Sequence, residues 1–320
     1  MTATTTETGT TATEVGTTTA EAGTTTYPPG GGEARSGETS VMFWNLFRAG
    51  FERHEGDDTR WRAQRALILR ERPTVLMVTE AWCWDLDDEA LFTDTRRSLG
   101  MEGALFRAGT ECHQAILWRP EVEVRSTDAY LPGLNSWHGF GSAQLRLPGR
   151  SEPIRFVAAH LDPYSPLNRR IEADRLRGFV GPDAQTPTLV AMDANTVPPG
   201  DPEPDWSGVP AHRVGNHLPP DGTRTDRTPV GALLGAGLFT DVAAHLGDRT
   251  PTVGVSEDGD PARRIDLFLA SGPLLPSVRS YRRLADVPSG ADGREASDHA
   301  PILLRLAPDT PDGSGPGEGR

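Results

Sequence analysis

Five short polar motifs each end or open an apolar, strand-like run, and no other feature limits the fold of this chain as tightly. They are Trp44-Asn45, Thr79-Glu80, His160-Leu161-Asp162, Asp193-Ala194-Asn195 and Ser297-Asp298-His299. The runs they punctuate are Ser40–Trp44, Thr74–Thr79, Ile154–Ala159, Thr188–Met192 and Ala300–Leu306. Polar groups far apart in sequence are therefore expected to converge where strands end. A carboxylate, two Asp-containing clusters and two histidines on one rim offer oxygen ligands for a hard cation together with an acid/base pair.

Shorter strands are expected at Gln114–Trp118, Ala143–Leu147 and Arg264–Ala270. A helix is expected from Asp58 or Thr59, as N-cap, to Arg72, with Pro73 restarting an extended segment. A second follows Ser165-Pro166, a cap and first-turn proline, with Leu167, Ile171, Leu176 and Phe179 at near-helical spacing. Helices that separate pairs of strands without strict βαβ alternation predict a four-layered α/β sandwich, two mostly antiparallel sheets face to face with helices outside. The stretch Val197–Pro229, rich in Pro, Gly and Asp, reads as a long rim loop of the kind that shapes substrate choice.

The chain has 320 residues, and not all of them are expected to fold. Residues 1–38 are Thr, Gly and Ala with scattered Glu and no apolar run, and are read as a disordered tail. Residues 308–320 have a similar character, which leaves one catalytic domain over 39–307. There is no basic start followed by an apolar segment and no membrane-length apolar stretch, so a cytoplasmic protein is expected. Two cysteines, Cys83 and Cys112, are no disulfide framework. The formal charge of −13 leaves −7 on residues 39–307 once both tails are removed, which disfavours tight non-specific DNA binding.

With these motifs in order, the chain resembles the endonuclease/exonuclease/phosphatase superfamily, the group with the DNase I-like fold. The resemblance spans about Val41 to Leu306. It rests on Asn45, Glu80, His160-Leu161, Asp193-Ala194-Asn195, Arg264-Ile265-Asp266 and Ser297-Asp298-His299 occurring in the family's sequence. It implies a Mg²⁺-dependent phosphoesterase, with Mn²⁺ as an alternative ion, in which Glu80, Asn45 and Asp298 hold the metal. His299 would be oriented by Asp266 and work in its neutral form with Asp193 on the attacking water. His160 would lie across the phosphate in its protonated form, and Asn195 would donate to the developing oxyanion.

Glu111, His113, Asp162 and Arg264 are the substrate-binding candidates. Thr79 stands where relatives commonly have Gln, and Trp137–Ser142 lacks the Arg that many place there to hold phosphate. Trp82 and Trp84 are read as packing residues rather than a base-stacking platform. The implied partner is a phosphorylated small molecule, a lipid headgroup or a nucleic acid. Two other classes stay open: the same scaffold recruited for a metal-assisted reaction on a non-phosphate small molecule, and a non-catalytic interaction protein.

Overall fold

A computed structural model describes residues 38–309 except 131–135, 181–184, 220–221, 255–259, 288 and 291–294, and not the side chains of 179 and 180. The two tails expected from the sequence fall almost wholly outside the described residues.

In chain order the strands are β1 (Thr39–Asn45), β2 (Val75–Thr79), β3 (Glu102–Phe106), β4 (Gln114–Trp118), β5 (Glu123–Tyr130), β6 (Phe140–Arg146), β7 (Ile154–His160), β8 (Thr188–Asp193), β9 (Phe239–Asp241), β10 (Asp266–Ser271), β11 (Val278–Arg283) and β12 (Ile302–Leu306). Among the described residues they form two six-stranded sheets, ordered β11-β12-β1-β2-β4-β3 and β5-β6-β7-β8-β10-β9. Each sheet has one parallel pair at its centre, β1 with β2 and β7 with β8, and antiparallel pairs around it.

Period-two alternation sorts the side chains into layers. Val41 and Phe43 of β1, Val75 and Met77 of β2, Phe156 and Ala158 of β7, Leu189 and Ala191 of β8, and Phe268 and Ala270 of β10 share the core between the sheets. The alternate residues of β1 and β2, Met42, Trp44, Leu76 and Val78, pack outward against α2 (Thr59–Glu71) and α3 (Ala90–Leu99) through Trp61, Leu67, Ile68, Phe92 and Leu99. Those of the second sheet, Val157, Val190, Met192 and Leu267, meet α4 (Pro166–Val180) and α6 (Thr228–Leu234) through Ala173, Leu176, Val230 and Leu233. The four expected layers are present.

Asp58 occupies the N-cap position of α2 but makes no side-chain cap bond there; Arg53 pairs with its carboxylate instead, and Asp57 Oδ1 accepts the amide of Thr59 at 2.9 Å. Ser165 Oγ does cap α4, accepting the Asn168 amide at 3.2 Å. The rim segment after Val197 carries the short helix Ala211–Val214 and is pinned through Asp201. The buried Arg264 guanidinium grips Asp201 and Asp241 with two of its edges, at 2.7–2.9 Å.

Candidate active site

The inner-face rows of the two sheets end in polar residues, and strand register sets them side by side. His160 lies opposite Asp193 in the parallel β7–β8 pair, and Asp193 opposite Asp266 in the antiparallel β8–β10 pair. Continuing the alternation past Ala158, Ala191 and Phe268 puts all three side chains on the face turned to the other sheet. There Asn45 closes β1, paired in register with Thr79 of β2. One hydrogen bond joins the sheets at this point, from Asn45 Nδ2 to Asp193 Oδ2 at 3.0 Å.

Asp193 is the hub. Its Oδ2 lies 3.4 Å from His160 Nε2 and 3.7 Å from His299 Nε2, and its Oδ1 accepts the Asn195 amide at 2.9 Å. His299 is held from the far side by Asp266, whose two oxygens lie 2.9 and 3.0 Å from Nδ1. Its backbone is fixed as well. Trp44 Nε1 donates to the His299 carbonyl at 2.8 Å, and Ser297 Oγ donates to the Asn45 carbonyl at 2.8 Å.

Glu80 follows β2 in the left-handed region, φ 55°, which swings its carboxylate onto the rim. Asn45 Nδ2 donates to one oxygen at 3.1 Å and Trp82 Nε1 to the other at 2.9 Å. Burial nevertheless pushes the Glu80 carboxyl up, and Asp298 nearby pushes in the same direction. Asp298 is raised too, by burial first and then by Asp193 and Asp266. Half-buried, mutually repelling carboxylates with only oxygen donors fit a hard divalent cation. Asn45 turns its amide nitrogen to Glu80 and Asp193 while its oxygen accepts the Phe47 amide at 2.8 Å, so it braces the Glu80 carboxylate.

The two histidines sit in opposite electrostatic settings. Burial alone would lower His299, but Asp266, Asp193 and Asp298 together raise it well above the usual imidazole value. Burial, reinforced by the charge on His299, drops His160 to about 3. In the free site these shifts favour a charged His299 and a neutral His160, the opposite assignment to the working states expected from sequence. The cause is the placement of three carboxylates around one ring and none behind the other, since His160 Nδ1 faces the thiol of Cys112 at 3.6 Å.

The remaining sequence-derived candidates lie elsewhere. Arg264 is consumed by Asp201 and Asp241. Asp162 shapes the approach to α4, accepting the amides of Tyr164 and Ser165 and the side chain of Asn168. His113 accepts the Ala108 amide on Nδ1 and places Nε2 2.8 Å from Asp85. Glu111 is exposed at a left-handed turn, φ 65°. Asn195 donates to the Leu161 carbonyl at 2.9 Å, which ties the end of β7 to the end of β8. Trp82, read as packing, stacks on Phe51 at 4.7 Å and also orients Glu80; Trp84 is buried against Phe92.

The sequence pattern of the Endonuclease/Exonuclease/phosphatase family matches residues 42–299. The chain belongs to this family. Solved structures of similar fold include a humanized TDP2 from D. rerio (16% identity, TM-score 0.59), covering 84% of this chain and 98% of that one. The human Nocturnin catalytic domain with bound sulfate is 16% identical at TM-score 0.55 and covers 85% of this chain and 94% of its own. A mannosyl-6-phosphatase from Bacteroides thetaiotaomicron is 15% identical at TM-score 0.57, covering 83% and 98%. Among curated proteins no sequence match is found. No helix among the described residues is long and apolar enough to cross a membrane.

A carboxyl that the sequence reading passed over supports the rim from below. Glu172 of α4 accepts the amides of Asp162 and Trp137 at 2.7 and 2.6 Å, yet burial pushes it up to about 7. An unfolded Glu ionises near about 4.3. Between those values the folded chain binds more protons than the unfolded one, so this group makes stability fall as pH rises, by on the order of 3 kcal/mol over the window. Glu172→Gln is expected to flatten that slope. Urea midpoints measured between about pH 5 and pH 7.5 check it, and parallel slopes in both proteins would remove Glu172 as the source.

Proposed function

We propose that this protein is a divalent-cation-dependent phosphoesterase, acting on phosphodiesters ahead of phosphomonoesters. The observation that carries the reading is the Asp193 carboxylate, set by strand register between two histidines of opposite charge state and beside the Glu80–Asp298 pair. Among the described residues no arginine pairs with Asn45, Glu80, His160, Asp193, Asp266, Asp298 or His299. A singly charged diester needs less cationic help than a doubly charged monoester, which favours the diester.

Glu80 and Asp298 would hold the cation, with Mg²⁺ favoured by the oxygen donor set and Mn²⁺ as the alternative; when bound, it neutralises charge on the phosphoryl oxygens. The chain's own groups do the rest. His299, fixed and charged by Asp266, donates from Nε2 to a non-bridging oxygen. Asp193 takes the proton of the attacking water as the new P–O bond forms. His160, neutral in the free site, takes a proton from solvent when an anionic phosphate enters beside it, and gives its Nε2 proton to the leaving oxygen as the ester bond breaks. Asp193 then returns the water's proton to His160 Nε2, 3.4 Å away, and as the product phosphate departs His160 releases one proton to solvent, which resets the site.

The test is hydrolysis of bis-p-nitrophenyl phosphate, p-nitrophenyl phosphate and plasmid DNA, with Mg²⁺ or with EDTA. Mg²⁺-dependent turnover of the diester above that of the monoester is expected. Turnover unaffected by EDTA would overturn the cation requirement, and inertness towards all three would remove the phosphoesterase reading. Slow cleavage of plasmid DNA relative to the small diester would place the substrate among small molecules, as the acidic chain suggests.

A further inference from the structure

Behind the catalytic row, Cys112, His138 and His160 form a second cluster whose chemistry is unlike that of the rim. All three are buried, and one ligand atom from each lies within 4.8 Å of the others. Cys112 Sγ is 3.6 Å from His160 Nδ1. Atoms bound tetrahedrally to one Zn²⁺ through a sulfur and a nitrogen stand about 3.5 Å apart, so this pair is already at ligand spacing. The rings of His138 and His160 lie against each other, with centroids 4.5 Å apart.

His138 supplies an independent sign. Its Nδ1 is 2.6 Å from Thr110 Oγ1, but its Nε2 is buried without any hydrogen-bond partner, on a side chain of which the residue as a whole is 4% exposed. A polar nitrogen left so is costly unless something else satisfies it. One tautomer of each ring presents a lone pair to this cluster. With Nδ1 of His138 donating to Thr110, the orphan Nε2 is a lone pair; with His160 Nε2 turned to Asp193, its Nδ1 lone pair faces the thiol. Two unprotonated imidazole nitrogens and a thiol are a donor set for a soft or borderline metal, whereas Glu80 and Asp298 are one for a hard cation.

We propose that Cys112, His138 and His160 form a binding site for Zn²⁺ or a similar thiophilic ion, separate from the cation site of the rim, and that its occupation withdraws His160 from catalysis. Metal binding releases the Cys112 proton to solvent and leaves a thiolate–metal bond, with no change of oxidation state. The His138 ring closes the gap, from a separation within 4.8 Å towards the about 3.4 Å of tetrahedral ligands, and a water takes the fourth position. The inhibitory half of the proposal rests on the phosphoesterase reading; the binding half does not.

Co²⁺ is the probe for binding, because an ion held by oxygen ligands gives no thiolate-to-metal absorption in the near ultraviolet and one held by Cys112 does. Anaerobic titration of the full chain is expected to develop that band in the wild type and in Cys83→Ser. Cys112→Ser should abolish it, and His138→Gln, which keeps the thiol, should weaken the apparent Co²⁺ affinity at least tenfold. Competing Zn²⁺ should bleach the band while excess Mg²⁺ leaves it. No band in the wild type, or one that survives Cys112→Ser, overturns the site. For the second half, Zn²⁺ inhibition at saturating Mg²⁺ is measured relative to each protein's own zinc-free rate. At least tenfold lower sensitivity in both variants is expected, and equal sensitivity in all proteins overturns the inhibitory role while the Co²⁺ titration still stands on its own.

Discussion

Asp193→Asn is expected to lower turnover by about a thousandfold or more while Mg²⁺ affinity stays close to that of the wild type. The amide keeps the shape of the side chain and can still accept the Asn195 amide, so β8 should end as before. What goes is the charge at the point where Asn45, His160 and His299 meet. Losing a positioned general base alone costs roughly 10²–10⁴ in rate, and here the same loss stops the return of the proton to His160. Glu80→Gln provides the contrast. It removes a half-buried carboxylate that Asn45 and Trp82 hold ready, so Mg²⁺ affinity should fall and raised Mg²⁺ should restore part of the rate. Mg²⁺ titration by calorimetry together with kcat at saturating Mg²⁺ separates the two. If Asp193→Asn loses affinity for Mg²⁺ as severely as Glu80→Gln, Asp193 belongs to the cation site and the proton cycle fails.

The second large effect is on stability. Arg264→Met is expected to destabilise the fold by about 3–5 kcal/mol, because it strands Asp201 and Asp241, both buried, without their shared partner. Arg264→Lys should fall between the two, since an ammonium keeps the charge but cannot present one edge to each carboxylate. The measurement is the urea midpoint at constant m-value. The Arg249 contact to Asp201 softens the loss but does not reach Asp241, which caps α7 (Val242–His245) through the Ala244 amide. A loss below about 1 kcal/mol for Arg264→Met would show that the network carries little of the fold's stability.

How much of this was legible in sequence follows from where each residue sits in its sheet. The interior strands are continuous buried runs, and all of them could be read: β1, β2, β4, β6, β7, β8, β10 and β12 coincide with expected strands to within a few residues. The strands not read were β3, β5, β9 and β11, which are the four sheet edges. β5 is mostly exposed and β11 half so, and they carry Arg, Ser and Asp or Tyr, so their composition does not announce a strand.

The site divides in the same way. Of the residues placed by strand register, His160 and Asp193 were visible because they terminate apolar runs, whereas Asp266, inside the expected strand Arg264–Ala270, was reached only through the family resemblance. Contacts made across the interior were not. No spacing rule connects Cys112 and His138 to His160, or Glu172 to the amides of Asp162 and Trp137. Arg264 was placed at the substrate because it shares a motif with Asp266, yet it precedes β10, where the strand alternation that aims Asp266 does not extend: Asp266 turns to the site and Arg264 to the rim segment it anchors.

The pairing of β1 with β12 has a temporal consequence. Trp44 and His299 touch across 255 residues of chain, and β1 obtains its second neighbour only when the last described strand is laid beside it. During synthesis the second sheet, with His160, Asp193 and Asp266, can be complete while Asp298 and His299 are still inside the ribosome. A nascent chain, or one cut short before Asp298, therefore carries Asp193, the base of the proposed mechanism, and lacks both His299 and one of the two carboxylates proposed for the cation. Under that proposal, hydrolysis is the last capability the polypeptide acquires, and such a truncation yields an inert product.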